Sequence, residues 1–433
     1  MGSLRWFTAG ESHGPGLTVI VEGVPAGLPL DETYIRAQLA RRQKGHGRGG
    51  RMKIETDYAH IRGGVRHGRT LGSPIALWIE NRDHATGQGP DKRPWLETMA
   101  IEPIPDAPVP VTRVRPGHAD LAAALKYGYR DVRDSLERAS ARESAARVAA
   151  GAVARSLVEQ LGGRFYSHVV RIGNVTTDDV TTDDRTTADD ASGPRDWPDS
   201  TWQAVEDSPV RCADPGTAAR MIAAIDAAKQ DGDTLGGVVE ARVTGVPFGL
   251  GSHVHWERKL SARVAQALFS MNAFKGVEIG DGFRGAAQRG AQTHDVVLPQ
   301  DEWRQIDPRH GETTRPWRHA SNHAGGIEGG TSNGEDLVVR VAVKPIATLA
   351  HPLPSADLAT GDRVQAHYER SDVCVVPAAG VIVEALLALV LADAILEKHG
   401  GDSLPETRRN LDAFHATLLP LNQRPPDDPR GTS

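Results

Sequence analysis

The chain reads as an α+β protein in which a central helical layer lies between two mainly antiparallel sheets, built from two related halves. Three observations predict this. First, Gly23-Val24-Pro25-Ala26-Gly27-Leu28 recurs as Gly245-Val246-Pro247-Phe248-Gly249-Leu250, each copy following an alternating or β-branched run. Second, Gly63-Gly64-Val65 leads through Gly68 and Gly72 to Ile75, Leu77 and Ile79, just as Gly325-Gly326-Ile327 leads through Gly330 and Gly334 to Leu337, Val339 and Val341. Apolar residues two apart mark a strand with one buried face. Third, each half carries one long stretch of small and aliphatic residues, as helices sandwiched between sheets require.

Taken in order, Leu4 to Phe7 is a short apolar run and Leu17 to Glu22 the first alternating strand. Asp31 is placed to cap a helix over Glu32 to Arg42. The helical stretch of the first half runs from about Ala119 to Leu161, with a break near Gly128, and stops at Gly162-Gly163. Asp214 as cap and Pro215 in the first turn start a helix over Gly216 to Lys229. Val238 to Thr244 is a strand, Arg258 to Met271 a helix, and Ala378 to Lys398 the core helix of the second half, ending at Gly400-Gly401. The expectation is one domain over 1–433, with halves at about 1–165 and 235–400. Between them, the near-repeat of Thr-Thr-Asp-Asp from Thr176 to Asp190 predicts a solvated acidic insertion over about 174–213. Residues 424–433 form a polar, Pro-rich tail.

Bulk properties exclude several classes. A net charge of −6 argues against a nucleic-acid binder, which would be strongly basic. Two cysteines, Cys212 and Cys374, build neither a disulfide framework nor a Cys-rich zinc site and suit a reducing cytosol. Val373 to Leu396 is long and apolar enough to cross a membrane, yet Pro377, Glu384 and Asp393 make it a buried core helix. With no signal pattern at the N-terminus, the expectation is a cytoplasmic protein that binds neither membrane nor nucleic acid.

Several short motifs carry chemistry. Gly10-Glu11-Ser12-His13-Gly14 matches G-x-S-x-G, but a nucleophile elbow needs an earlier strand loop to supply an oxyanion N–H, and only one strand fits before Ser12. Gly45 to Gly50 satisfies G-x-G-x-x-G but follows the charged end of a helix, where a dinucleotide site needs a buried strand. That segment does set Arg41, Arg42, Lys44, Arg48 and Arg51 on a glycine frame, an arrangement suited to phosphate and carboxylate groups or to a solvated basic loop. Arg115-Pro116-Gly117-His118 puts a histidine at a helix start. Arg138 and Arg142 lie four apart, hence on one helical face, where a bound anion would partner them. Arg370-Ser371-Asp372 offers either a proton-transfer carboxylate or an ion pair. His253, His255, His319 and His323 lack the carboxylates or cysteines that would complete a metal site, so no metal is expected.

Three islands together resemble the signature regions of the chorismate synthase family: Gly10 to Gly14 with Gly16 and Leu17, RASARESAARVAAG from Arg138 to Gly151, and RSDVCVVPAAGVIVE from Arg370 to Glu384. RPGHAD at Arg115, NAFKGVEIGDGF at Asn272 and SNHAGGIEGG at Ser321 extend the resemblance over nearly the whole chain. It implies a homotetrameric β-α-β sandwich that removes phosphate from 5-enolpyruvylshikimate-3-phosphate by anti-1,4-elimination, using reduced FMN, to give chorismate. NADPH is then a candidate reductant and a separate flavin reductase a candidate partner.

By the same resemblance, His13 acts as a proton donor near the phosphate, His118 protonates or holds the flavin, and Asp372 assists removal of the substrate proton. Ser12 and Ser140 support them. The positions matching FMN contacts are Arg138, Ala139, Ser140, Asn272, Ala273, Gly329, Lys344, Pro345, Ile346, Ala347, Thr348 and Arg370. Arg42, Arg48, Arg115 and Arg142 match substrate positions, and Arg42 and Arg48 also match positions linked to NADP. Ala139 departs from the serine of many members, which removes one hydroxyl contact to flavin.

Overall fold

A computed structural model describes residues 4–49, 56–89, 91–177, 197–302, 316–420 and 423. The core of the acidic repeat, 178–190, and the tail at 424–433 lie outside the described residues.

The first sheet comprises β1 (Arg5–Ala9), β2 (Gly16–Glu22), β3 (Ala59–Gly63) and β4 (Ile75–Glu80), in the order β1-β2-β4-β3 and antiparallel throughout. The register follows the alternation in the sequence. Leu17, Val19 and Val21 on β2 and Ile75, Leu77 and Ile79 on β4 are all buried on one face. The second sheet comprises β5 (Arg164–Ile172), β6 (Val175–Thr176), β7 (Gly237–Thr244), β8 (Phe274–Ile279) and β9 (Leu337–Val343), ordered β8-β9-β7-β5-β6. Its pairs are antiparallel as well.

Helix α1 (Glu32–Gln43) begins where the Asp31 carboxylate accepts the Tyr34 N–H. The stretch expected as one helix with a break near Gly128 is three pieces: α2 (Asp120–Tyr127), α3 (Arg133–Leu136) and α4 (Glu143–Gln160). Residues 138–142 are a turn, so Arg138 and Arg142 do not share a helical face, contrary to the expectation from their spacing. The reason is local competition for the backbone: the Ser140 hydroxyl accepts the Arg142 N–H, and the Ser144 hydroxyl donates to the Ala141 carbonyl at 2.5 Å. The two guanidinium groups then reach different elements.

Beyond β6, α5 (Asp199–Asp207) stacks Trp202 on Tyr166 with ring centroids 4.6 Å apart, and Val205, Val210 and Cys212 are buried. Within the expected insertion, residues 197–213 therefore pack onto β5 through their aromatic and apolar side chains, which find a sheet to cover, while Asp199, Gln203 and Asp207 stay exposed. Helix α6 (Pro215–Gln230) starts at Asp214, whose carboxylate accepts the Thr217 N–H, and α7 (Leu260–Phe269) packs on β8.

The last long helix is α8 (Val376–His399), followed by α9 (Leu404–Ala416). Helix α8 is apolar and long enough to span a membrane, but it is buried inside the protein. It packs along α4; α4 also contacts β1 and β2, while α8 contacts β5, β7 and β9. The two helices come close at Gly151, where an added Cβ would lie 2.5 Å from the Ala385 Cβ. Only a residue without a side chain lets the two helices meet at that distance.

Candidate active site

One cavity of about 820 Å³ collects the chemistry-bearing islands at the ends of these elements. Ser12 and His13 enter from the loop after β1, Arg42 from the end of α1 and Arg48 from the loop that follows it, and Arg115 and His118 from the loop before α2. Ala139, Ser140 and Arg142 come from the turn before α4, Lys344, Ile346, Ala347 and Thr348 from the segment after β9, and Arg370 and Asp372 from the approach to α8.

The Gly10 to Gly14 island is held by a carboxylate that the sequence reading missed. Glu137 accepts the backbone N–H of His13 at 2.8 Å, and both its oxygens lie within 3.0 Å of His13 Nδ1. Its carbonyl accepts the Ser12 N–H at 3.1 Å. The imidazole stacks on Trp95 with centroids 3.8 Å apart and planes 12° from parallel. Ser12 is buried and its hydroxyl accepts from Ser140 at 3.1 Å.

The cations are fixed from behind. Asp57, also missed, is buried between two arginines: one oxygen takes Arg42 at 3.0 Å and the other takes Arg142. Arg42 further donates to the Ser144 hydroxyl, and Arg142 to Asn81 at 2.9 Å. Burial pushes the Arg42 guanidinium down to about 10, offset by Asp57. Arg48 pairs with Asp372 at 3.1 Å, and the other Asp372 oxygen accepts the Gly49 N–H at 2.6 Å. Arg115 is forked onto Asp120 at 2.8 and 3.1 Å and donates to Thr348. His118 Nδ1 lies 2.5 Å from Asp120. Burial would raise the Asp120 carboxyl, but its bonds to His118 and Arg115 hold it well below the usual carboxylate range.

Most positions matched to the flavin line the same cavity. Asn272 donates to the Ala139 carbonyl at 2.7 Å, which joins two of them across elements. The Lys344 ammonium is lowered by burial and by neighbouring Lys275, a second cation at the cavity wall that the sequence reading did not single out. Three expected positions are not among the lining residues: Arg138, Gly329 and Pro345. Arg138 turns to β1, donating to the Gly10 and Thr8 carbonyls. Gly329 sits in the hairpin Ile327–Ser332, near His253. Among the described residues no group of His, Cys, Asp and Glu has the makings of a metal site.

The family model described as Chorismate synthase matches residues 4–396. The chain belongs to the chorismate synthase family. Chorismate synthase of Moorella thermoacetica is 54% identical over 415 residues, covering 96% of this chain and 99% of that one. Chorismate synthase of Thermobifida fusca is 50% identical, covering 96% and 99%. A solved structure described as a crystal structure of chorismate synthase superposes with a TM-score of 0.72 at 38% identity, over 96% of this chain and 98% of that one. Chorismate synthase relatives thus match this chain along its length, including every element that bounds the cavity.

Proposed function

We propose that this protein is a chorismate synthase: it converts 5-enolpyruvylshikimate-3-phosphate to chorismate and phosphate in the shikimate pathway, in a cavity that also holds reduced FMN. The observation that carries this reading is the convergence of Arg42, Arg48, Arg115, Arg142, His13, His118 and Asp372 on one cavity in a chain of net charge −6. An anionic substrate needs such a local excess of positive charge.

The cavity suits both ligands. Met271, Phe274, Val343, Ile346 and Ile382 give apolar wall for a flat ring system, and Lys275, Lys344 and Arg370 give cations for a phosphate tail. When bound, reduced FMN supplies electron density that stabilises the developing charge or radical character of an elimination with no net redox change. The substrate C–H pair becomes a new double bond, the existing one shifts, and the C–O pair departs with phosphate. Arg42 and Arg142 meet the substrate anions with their guanidinium groups already fixed by Asp57. Arg48 and Arg115 complete that binding set. Asp372, oriented by Arg48 and the Gly49 N–H, assists removal of the substrate proton at its carboxylate. His118, held at Nδ1 by Asp120, keeps a proton near the flavin site, and His13 delivers one to the departing phosphate.

Further parts of this reading are a β-α-β sandwich, two-half ancestry, a homotetramer and a cytoplasmic location. The matching strand orders β1-β2-β4-β3 and β5-β7-β9-β8 support the two halves. An anaerobic assay with and without reduced FMN tests the function. Chorismate should form only with reduced FMN; full turnover without flavin overturns the proposal. A parallel arm with oxidised FMN and NADPH reads whether the chain reduces its own flavin or relies on a reductase.

A further inference from the structure

We infer that Glu137 is the positioning residue for His13: it holds Nδ1 as the donor nitrogen, so that Nε2 is the atom through which His13 exchanges its proton with the cavity. This rests on the reading of His13 as the proton donor to the departing phosphate.

Four contacts from one side chain and its backbone converge on the island. The Glu137 carboxylate takes the His13 N–H at 2.8 Å and lies 2.9 and 3.0 Å from Nδ1, and its carbonyl takes the Ser12 N–H. A carboxylate is an acceptor only, so the imidazole nitrogen facing it must carry the hydrogen. That fixes the neutral tautomer as Nδ1–H and leaves Nε2 to gain or lose the proton. The Trp95 stack fixes the ring plane, and the Arg133 guanidinium lies 5.2 Å from the Trp95 ring centroid.

Glu137 is itself held. Its side chain is fully buried, and Arg133 donates to Oε1 at 3.0 Å while also pairing with Glu369 at 3.2 Å. Among the described residues, the charged groups around the imidazole include Glu137 with Arg133 behind it, Asp83 with its Oδ2 3.9 Å from Nε2, and Arg370, 3.7 Å from that same oxygen. His84 Nδ1 lies 2.8 Å from the His13 carbonyl. In the proposed step the Nε2–H bond breaks and an O–H bond forms on phosphate. The imidazolium becomes neutral imidazole with its remaining proton still on Nδ1, shared with Glu137.

Histidine-selective ¹⁵N NMR of the flavin-free wild-type protein, with H13A assigning the signal, should show the Nδ1–H tautomer of His13 at high pH. A dominant Nε2–H tautomer overturns the inference. Glu137→Gln should reduce the Nδ1–H share of the His13 tautomer signal and lower kcat about tenfold at neutral pH with little change in KM. Glu137→Asp should restore part of both. An unchanged tautomer signal and pH–rate profile in a folded E137Q protein would make Glu137 a structural group only. A near-normal rate in H13A would instead remove the role of His13 while leaving the tautomer result standing.

Discussion

At the scale of single residues, the site is governed by buried carboxylates that orient cations and histidines. Asp57 touches both Arg42 and Arg142 and is itself almost inaccessible, so its charge is compensated inside the protein by groups that include those two cations. Removing one member of a buried charge network leaves the others desolvated without compensation. Asp57→Asn should therefore cost about 3–5 kcal/mol of folding stability, measured by denaturant unfolding. A loss below 1 kcal/mol would mean that water or other partners take over. The arginines were legible in the sequence because Arg42 and Arg48 sit on a glycine-rich frame and Arg115 and Arg142 in conspicuous islands. Their partners were not. Asp57, Glu137 and Trp95 stand in unremarkable local sequence, and their role arises only where β3, the turn before α4 and the loop before α2 meet.

At the scale of elements, small residues decide how the helices meet. Gly151 on α4 faces the Ala385 backbone on α8, and any side chain must push the helices apart. Gly151→Val should lower stability by about 1–3 kcal/mol through overpacking, read as a reduced denaturation midpoint. An unaltered midpoint would show that the helices can shift freely. Alternation placed β2, β4, β7 and β9 correctly, and the caps at Asp31 and Asp214 hold their predicted N–H groups. The failure was the turn at 138–142. Helical spacing alone put Arg138 and Arg142 together, whereas serine hydroxyls take over backbone groups there and send Arg138 to β1 and Arg142 to Asp57. The same turn carries Glu137 and Ser140 into the cavity, so the break in the helix is what builds the site.

At the scale of the whole molecule, buried acids tie the layers together and set the response to pH. Glu384 of α8 pairs with Arg41 of α1 and Arg155 of α4 and accepts from Ser167 of β5. Burial raises its carboxyl, but the arginines bring it down to about 2. Glu240 and Glu369 are likewise held at about 2, against burial, by bonds to His168 and to His367, with Arg340 and Arg133 adding to each. A carboxyl with a depressed folded pKa stabilises the fold above its unfolded value near 4.5 and loses that contribution as pH falls toward the folded value. Stability should thus hold from neutral pH to about 5 and decline steeply between about 4.5 and 2. Denaturant midpoints flat down to pH 3 would contradict this.

By itself the sequence determined the period of each strand, the caps and stops of most helices, the apolar character of the two central helices and the cationic islands of the site. These are local properties, written in residues a few positions apart. The tertiary structure alone decided which carboxylate each cation and histidine would meet, that residues 197–213 would pack on β5, and that Arg138, Gly329 and Pro345 would not line the cavity of the single chain. Those outcomes depend on charges and rings brought together from positions up to hundreds of residues apart, whose pairing energy exists only once the sheets and helices have excluded water between them.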